Sequence, residues 1–207
     1  MIPSAYKDGK LYSIRPTDGD GDFTFSRGSN LAATRVDVNG LIEKGRENLL
    51  TYSNDFSNAD WTKYNGVTLS GGESGYDGSN NAWLVTKPST SFTGVGQNVL
   101  SASGVITFSV YMKAGTLSVA TIRLIGIPDR NVVFDLSNGT IFGGSSTGWI
   151  DRKIESAGGG WYKCSFTLSN TGSSLAVIYP DEITNTTGGS IYIQDAQLEA
   201  GLVATDY

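Results

Sequence analysis

The chain of 207 residues contains no histidine and only one cysteine, Cys164. Without histidine the protein lacks the commonest zinc ligand and the usual general base of enzymes that work near neutral pH. A single cysteine excludes an internal disulfide and a thiolate metal cluster. Cys164 lies in an alternating run with Tyr162, Phe166 and Leu168, so we expect a small core residue rather than a reactive thiol.

Positive charge and long apolar runs are also scarce. The chain has 15 lysines and arginines against 20 aspartates and glutamates, which gives a net charge of −5. A nucleic-acid partner needs clustered positive charge to neutralise phosphates, so we exclude that class of partner. No apolar run approaches the roughly 18 residues of a membrane span, and residues 1–8 lack the basic and apolar regions of a secretory signal. We therefore expect synthesis in a cytoplasm and no insertion into a membrane.

Residues that form turns and strands are abundant instead. The chain has 27 glycines, whereas charged residues make up only 17% of it, and the aromatic share of 11% is too high for a disordered chain. From residue 48 onward, short β-rich runs are separated at regular spacing by Gly, Ser, Asn and Asp. This spacing is typical of a β-sandwich rather than of alternating strands and helices. It predicts an all-β, antiparallel two-sheet sandwich over residues 48–207.

Three alternating runs supply the predicted core. Their apolar members share one phase in each strand, so that every second side chain faces inward. The residues expected to be buried are Ile106, Phe108, Val110, Ile122, Leu124, Tyr162, Cys164 and Phe166. The last apolar run breaks this rule, because Ile191 and Ile193 share one phase whereas Ala196 and Leu198 take the other. We therefore predict a β-bulge near Gln194 and Asp195.

Residues 1–47 have a different pattern and predict a short extension of β-hairpins. Asn39-Gly40 is flanked by apolar alternation, a strong hairpin signal because both central turn positions favour a positive φ. Such small hairpins bury little surface alone and need another surface to pack on. We expect this extension to support attachment to a larger particle or assembly into a homo-oligomer, with a trimer favoured.

Five segments resemble, in their order, segments that recur in fibre and spike proteins of tailed bacteriophages. They are residues 25–43, 48–61, 107–115, 154–164 and 191–203, and together they span nearly the whole chain. The resemblance implies a non-enzymatic protein on the surface of a virion, attached to capsid or tail proteins. It also implies a jelly-roll domain similar to carbohydrate-binding modules. The leading hypothesis is a head or tail fibre or decoration protein that aids host attachment; the alternative is an adhesion module that recognises host surface glycans.

Four residues are candidates for carbohydrate binding. If the apolar phases of their strands face inward, Tyr111, Arg123, Trp161 and Lys163 face outward and share one sheet face. Aromatic rings stack on the apolar faces of sugars, while the cationic groups bond hydroxyls or acidic sugars. The alternative is that Tyr111 and Trp161 are covered by the N-terminal hairpins or by a neighbouring subunit.

The resemblance to carbohydrate-binding jelly rolls also implies a structural calcium ion, which often links their first and last strands. In this chain the ligands would lie near Asp55 and Asp195, with help from backbone carbonyls, since calcium prefers hard oxygen donors. For an enzyme, paired carboxylates are the one serious possibility, because a glycosidase needs only two. Asp129, Asp135, Asp151 and Glu155 are available, but strand ends and turns explain them equally well, and we expect no enzymatic activity.

Overall fold

A computed structural model describes residues 48–100, 102–126 and 129–205, together with four short N-terminal strands. The chain separates into two compact units, residues 1–45 and residues 46–207. In the first unit, β1 (Ala5–Lys7) pairs with β2 (Lys10–Tyr12), and β3 (Thr34–Val36) pairs with β4 (Ile42–Lys44), both antiparallel. The second pair confirms the predicted hairpin, although Asn39 and Gly40 themselves lie outside the described residues.

The described part of the second unit consists of two antiparallel sheets, each of six strands. In spatial order, sheet I contains β12 (Thr140–Gly144), β11 (Arg130–Asp135), β10 (Val119–Ile125), β15 (Ser174–Pro180), β8 (Gly94–Val99) and β5 (Thr62–Tyr64). Sheet II contains β13 (Asp151–Gly158), β14 (Trp161–Asn170), β9 (Gly104–Ala114), β16 (Gly189–Ala200), β7 (Ala82–Lys87) and β6 (Thr68–Glu73). The described ranges contain no helix long and apolar enough to cross a membrane. The predicted all-β, two-sheet jelly-roll sandwich is confirmed.

The core contains side chains from both sheets. Seven of the eight residues predicted to be buried are so, and Tyr162 is half-buried against the core. The first described loop adds Phe56 and Trp61, whose ring centroids are 4.7 Å apart. Burial of each such large apolar side chain stabilises the folded state by on the order of 1.5–3 kcal/mol. Cys164 is fully buried, and this burial raises the pKa of its thiol, as expected for a structural cysteine.

Strand β16, the last strand of sheet II in sequence, contains the predicted bulge. Gln194 is opposite Tyr111 and Gln197 is opposite Ser109, so β16 has one residue more than β9 over this interval. Asp195 lies in this interval with φ of 50°. The extra residue brings Ile191 and Ile193 on one side of the bulge, and Ala196 and Leu198 on the other, into the same core. The bulge is therefore confirmed.

The segment that begins the second unit runs beside β16. The side chain of Asn48 accepts a hydrogen bond from Leu198 N (2.9 Å) and donates one to Ala196 O (3.1 Å). Farther along, Ala196 N donates to Ser53 O at 3.0 Å. The loop after residue 53 is thereby held close to the bulge.

Candidate functional site

The outer face of sheet II, which points away from the core, is polar over four adjacent strands. Because side chains alternate across a strand, the register of the sheet places these residues in rows. One row is Glu155, Lys163, Tyr111 and Gln194; the next is Lys153, Ser165, Ser109 and Gln197; the third is Asp151, Thr167, Thr107 and Glu199. We call these twelve residues the polar face.

A cleft of about 410 Å³ opens on the β13 side of the polar face. Its lining combines charged groups, hydroxyls and a short apolar wall. The lining residues are Thr107, Tyr111, Asp151, Lys153, Glu155, Ser156, Ala157, Lys163, Ser165, Thr167, Leu202, Val203 and Ala204. This volume lies within the range of small-molecule sites, but the lining is far more polar than is usual for them.

Charges of both signs alternate around the cleft. Lys153 Nζ is 3.2 Å from Asp151 Oδ2, and both side chains remain partly exposed. Lys163, only 9% exposed, donates from Nζ to Thr205 O at 2.6 Å and lies 5.6 Å from the ring centroid of Tyr111. Glu155 is exposed at the rim, opposite Lys163 in the register. The cleft therefore offers hydrogen-bond donors and acceptors within a few ångströms of each other.

Residues 201–205 cross the polar face and form the apolar wall of the cleft; we call them the strap. Thr107 Oγ1 lies 2.8 Å from Gly201 O, and Thr167 Oγ1 lies 3.2 Å from Leu202 O. The two hydroxyls are also 2.8 Å from each other, so their two protons are shared among three hydrogen-bond contacts. Thr205 donates from its backbone N to Glu199 Oε2 at 2.9 Å, and its hydroxyl donates to Glu199 Oε1. The polar face thus holds the strap largely through the strap's backbone.

The aromatic residues predicted to stack on sugars belong to a small satellite core. Trp161 is 3% exposed and Tyr111 is 7% exposed, although both face away from the main core. The ring of Tyr76 stacks on Tyr111 with centroids 3.7 Å apart. The tilted ring of Tyr192 and the ammonium group of Lys113 lie 6.5 and 6.0 Å from the ring centroid of Trp161. Neither ring is an open platform here. They are covered from within the same unit, by the β6–β7 loop and the neighbouring strand, and a role for them in sugar binding stays a prediction.

Arg123 does not lie beside the other three candidates. It is on β10 in sheet I, whereas Tyr111, Trp161 and Lys163 are on β9 and β14 in sheet II. Its guanidinium donates to both carboxylate oxygens of Asp129, at 3.0 and 2.7 Å, and this bonding raises the pKa of Arg123. The expectation that all four residues share one face is wrong, because strand phase fixes which side faces the core but not which sheet a strand joins.

The two predicted calcium ligands have different surroundings. Asp55 is exposed and its Oδ1 accepts hydrogen bonds from the backbone N and the hydroxyl of Ser57, so it stabilises a turn. Asp195 is 2% exposed; its Oδ2 accepts a bond from Tyr76 Oη at 2.9 Å, and its Oδ1 has no hydrogen-bond partner among the described residues. Burial raises the pKa of Asp195 to about 6.

Asn54 adds a second buried oxygen near the bulge. Its Oδ1 likewise has no hydrogen-bond partner in the described part of the chain, and the bond from Ala196 N to Ser53 O joins its segment to that of Asp195. Buried acceptors without partners fit a hard cation. In residues 48–205, outside the gaps, there is no group of three or more His, Cys, Asp or Glu side chains suited to a metal. Asp195 is thus the predicted ligand whose free, buried oxygen fits an ion, and Asn54 Oδ1 is a further candidate from the adjoining segment. The calcium site near Asp55 and Asp195 stays a prediction.

The carboxylates considered for catalysis are spread over the domain. Asp129 binds Arg123, and Asp135 accepts bonds from Ser137 that lower the pKa of Asp135. Asp151 and Glu155 both line the cleft, but they are four residues apart on one strand, which spaces them by about 13 Å. Glycosidases hold their two carboxyl groups about 5 to 9.5 Å apart.

No protein-family model matches the chain, and no curated protein matches it in sequence. Similar solved structures include the CBM22-1 xylan-binding domain of Xyn10C from Paenibacillus barcinonensis, at 17% identity and a TM-score of 0.44, over 73% of this chain and 93% of that domain. The enzymatically active domain of bacteriophage CBA120 tailspike protein 4 matches at 14% identity and a TM-score of 0.40, over 73% of this chain and 21% of that one. A putative sugar binding protein from Bacteroides thetaiotaomicron matches at 13% identity and a TM-score of 0.40, over 72% and 92%. Scores this low assign neither a family nor a ligand to this chain.

Proposed function

We propose that residues 48–207 form a non-enzymatic carbohydrate-recognition domain whose binding site is the cleft between β13, β14 and the strap. The observation that carries this proposal is the lining of the cleft. Two ammonium groups, two carboxylates, four aliphatic hydroxyls and the phenol of Tyr111 surround a space of about 410 Å³, with Ala157 and the strap as its apolar borders.

This lining suits a sugar better than other small ligands. A sugar presents hydroxyls that both donate and accept, and it pairs well with closely mixed donors and acceptors. An apolar ligand would leave the charges of Asp151 and Lys163 desolvated without compensation. With both rings of the satellite core covered, binding depends on hydrogen bonds and charge more than on ring stacking. Amino sugars and acidic sugars are therefore the preferred ligands, since each can form charge-assisted bonds in the cleft.

A glycan array followed by calorimetry tests the proposal. Lys153→Ala and Glu155→Ala change exposed residues at the rim, so the fold should survive while affinity for the best array ligand falls about tenfold to a hundredfold, the value of one lost charge-assisted bond. Lys63→Ala is the matched control, because Lys63 is also an exposed lysine but lies on β5 in sheet I, away from the cleft.

Two results would overturn the cleft as the site. One is an array without any binder at millimolar glycan. The other is a bound glycan whose affinity is unchanged in both rim variants but reduced when Arg123 or other residues of sheet I are changed.

The setting that we propose for this domain is the surface of a tailed-phage virion, where it serves as a head or tail fibre or decoration protein and aids attachment to the host. The order of the five phage-like segments supports this, and the N-terminal hairpins are the expected attachment region. In this proposal the partners are capsid or tail proteins and two further copies of the chain. Mass photometry of the full chain checks for a trimer, and antibody labelling of purified particles checks the location. A monomer at micromolar concentration, or unlabelled particles, would contradict it.

A further inference from the structure

The strap occupies the same hydrogen-bonding groups that a ligand on the polar face would need. The hydroxyls of Thr107 and Thr167 bond strap carbonyls and each other, and Lys163 donates from its ammonium group to Thr205 O. Glu199 accepts two bonds from Thr205. Hydroxyl, ammonium and carboxylate groups of this kind are also the partners of sugar hydroxyls.

The surface beneath and beside the strap has the chemistry of a surface that meets water. Thr107, Thr167 and Glu199 are each no more than 3% exposed, and yet all are polar. A sheet face that is permanently covered is normally apolar, because buried polar groups cost free energy unless they are fully bonded. In this face the bonding is incomplete: Gln197 is 6% exposed and its Oε1 has no hydrogen-bond partner among the described residues.

The strap itself is weakly anchored by apolar contacts. Leu202 and Val203, its largest apolar side chains, are 57% and 51% exposed. The strap is bound through its backbone atoms and the hydroxyl of Thr205, and its bonds to Lys163 and Glu199 are charge-assisted. A glycan whose hydroxyls form bonds of the same kind with Lys163 and Glu199 can replace them. The strap can therefore leave the polar face without exposing an apolar core.

We propose that the strap is an internal competitor for the binding site: it closes the polar face at rest, and a glycan longer than the cleft displaces it. This inference rests on the proposed carbohydrate function. In the displaced state the cleft extends from β13 across β14 and β9 to Gln197 and Glu199 on β16. The apparent affinity for a long glycan is then reduced by the fraction of molecules in which the strap is bound.

The test compares a hexasaccharide with a disaccharide of the same repeating unit, both cut from the polysaccharide that binds in the glycan array. Thr205→Pro removes the N–H and the hydroxyl that bind Glu199, and it leaves the polar face intact. We expect the ratio of hexasaccharide to disaccharide affinity to rise at least about tenfold in this variant, the value of one of the two charge-assisted bonds that Thr205 loses to Glu199. Lys63→Ala is the control, since Lys63 is exposed on β5 in sheet I and belongs neither to the strap nor to the cleft lining.

Hydrogen exchange on the unmodified protein gives a second measurement that needs no variant to fold. Saturating hexasaccharide should accelerate exchange of the Thr205 amide, which Glu199 protects at rest, while the disaccharide should not. The proposal that the strap competes with the glycan is wrong if the affinity ratio is unchanged in Thr205→Pro. It is also wrong if the Thr205 amide keeps or gains protection when hexasaccharide binds. If wild-type protein binds both sugars but neither the Thr205→Pro ratio nor the Thr205 exchange changes, the carbohydrate function stands without the competitor. If neither sugar binds at all, both proposals fall together.

Discussion

The phenol ring of Tyr76 lies parallel to that of Tyr111, with their centroids 3.7 Å apart and 7° between their planes. The two rings come from different parts of sheet II, one from the β6–β7 loop and one from β9. The hydroxyl of Tyr76 then reaches Asp195 in the bulge of β16. One side chain therefore connects a surface loop, the satellite core and the bulge.

We predict that Tyr76→Phe destabilises the domain although it keeps the stack. The change removes the hydrogen bond from Tyr76 Oη to Asp195, so that neither oxygen of this buried carboxyl accepts a bond from a hydroxyl. We expect the free energy of unfolding to fall by about 1–3 kcal/mol. Urea unfolding at neutral pH measures the loss. Tyr52→Phe is the control, because Tyr52 is 56% exposed; equal midpoints for the two variants would show that the bond to Asp195 contributes nothing.

The satellite core also sets the outcome for Trp161→Ala. Trp161 is nearly fully buried, so its truncation leaves a cavity beside Tyr76 and Tyr192 and should cost about 3–5 kcal/mol of unfolding free energy. Phe142→Ala provides the comparison, since Phe142 is 61% exposed and should shift stability by no more than about 0.5 kcal/mol. Thermal melts measure both. If the Trp161→Ala protein melts like wild type but binds glycan weakly, the ring of Trp161 contacts the ligand and is not mainly structural.

Asp195 makes a specific contribution to the pH dependence of stability. Burial raises its pKa from 3.8 to about 6, so between about pH 4 and pH 6 the folded state binds this proton more tightly than the unfolded chain does. The contribution of this group to the free energy of unfolding therefore falls as pH rises through that window. Asp195→Asn removes the effect and keeps an oxygen that accepts the Tyr76 hydrogen bond.

In the presence of a chelator, we expect Asp195→Asn to be more stable than wild type at pH 7 by on the order of 1 kcal/mol, with the difference shrinking towards pH 4. Chemical unfolding at a series of pH values gives the difference directly. A difference that is constant across the series would mean that Asp195 has the same pKa in the folded and unfolded states.

Calcium should act through the same carboxylate. If an ion binds the free oxygens of Asp195 and Asn54, millimolar calcium raises the melting temperature of wild type, because a ligand of the folded state alone stabilises it. Asp195→Asn should lose most of that shift, and magnesium should not replace calcium in this position, since it demands a stricter octahedral geometry. Asp55→Asn then decides whether Asp55 is a second ligand. Identical calcium shifts in wild type and Asp195→Asn would exclude the site near the bulge.

Strand phase predicted the bulge and seven of the eight core residues that we assigned to strands, whereas Tyr162 is only half-buried and the loop residues Phe56 and Trp61 carry no strand phase. Ile191 and Leu198 are both too apolar to face solvent, and they can share one side of β16 only if one residue is inserted between them. The same reasoning failed for Arg123. Its strand alternates like the strands of Tyr111 and Trp161, and nothing in a local pattern says that β10 pairs in sheet I while β9 and β14 pair in sheet II.

The components of the site that sequence reasoning missed are those fixed by long-range contacts. Tyr76 lies in a loop rich in turn formers, and only its packing on Tyr111 makes it structural. Thr107 and Thr167 do carry a local signal, since they alternate with core residues and so had to face outward. The strap that covers them carried none, because residues 201–205 have no alternation and their contacts with the polar face are made mainly by the backbone.

The position of β16 in sheet II has a consequence for biosynthesis. It is the last strand of the described chain and yet lies in the middle of the sheet, between β9 and β7; Asn48 and Leu198, which it brings together, are 150 residues apart in sequence. Until β16 has been translated, sheet II exists only as two separate pieces, each with an unpaired inner edge. Such distant pairings are slow to form, and open edges invite association with other chains. A ribosome that stalls or terminates before residue 189 therefore releases a chain prone to aggregation, not a smaller working domain.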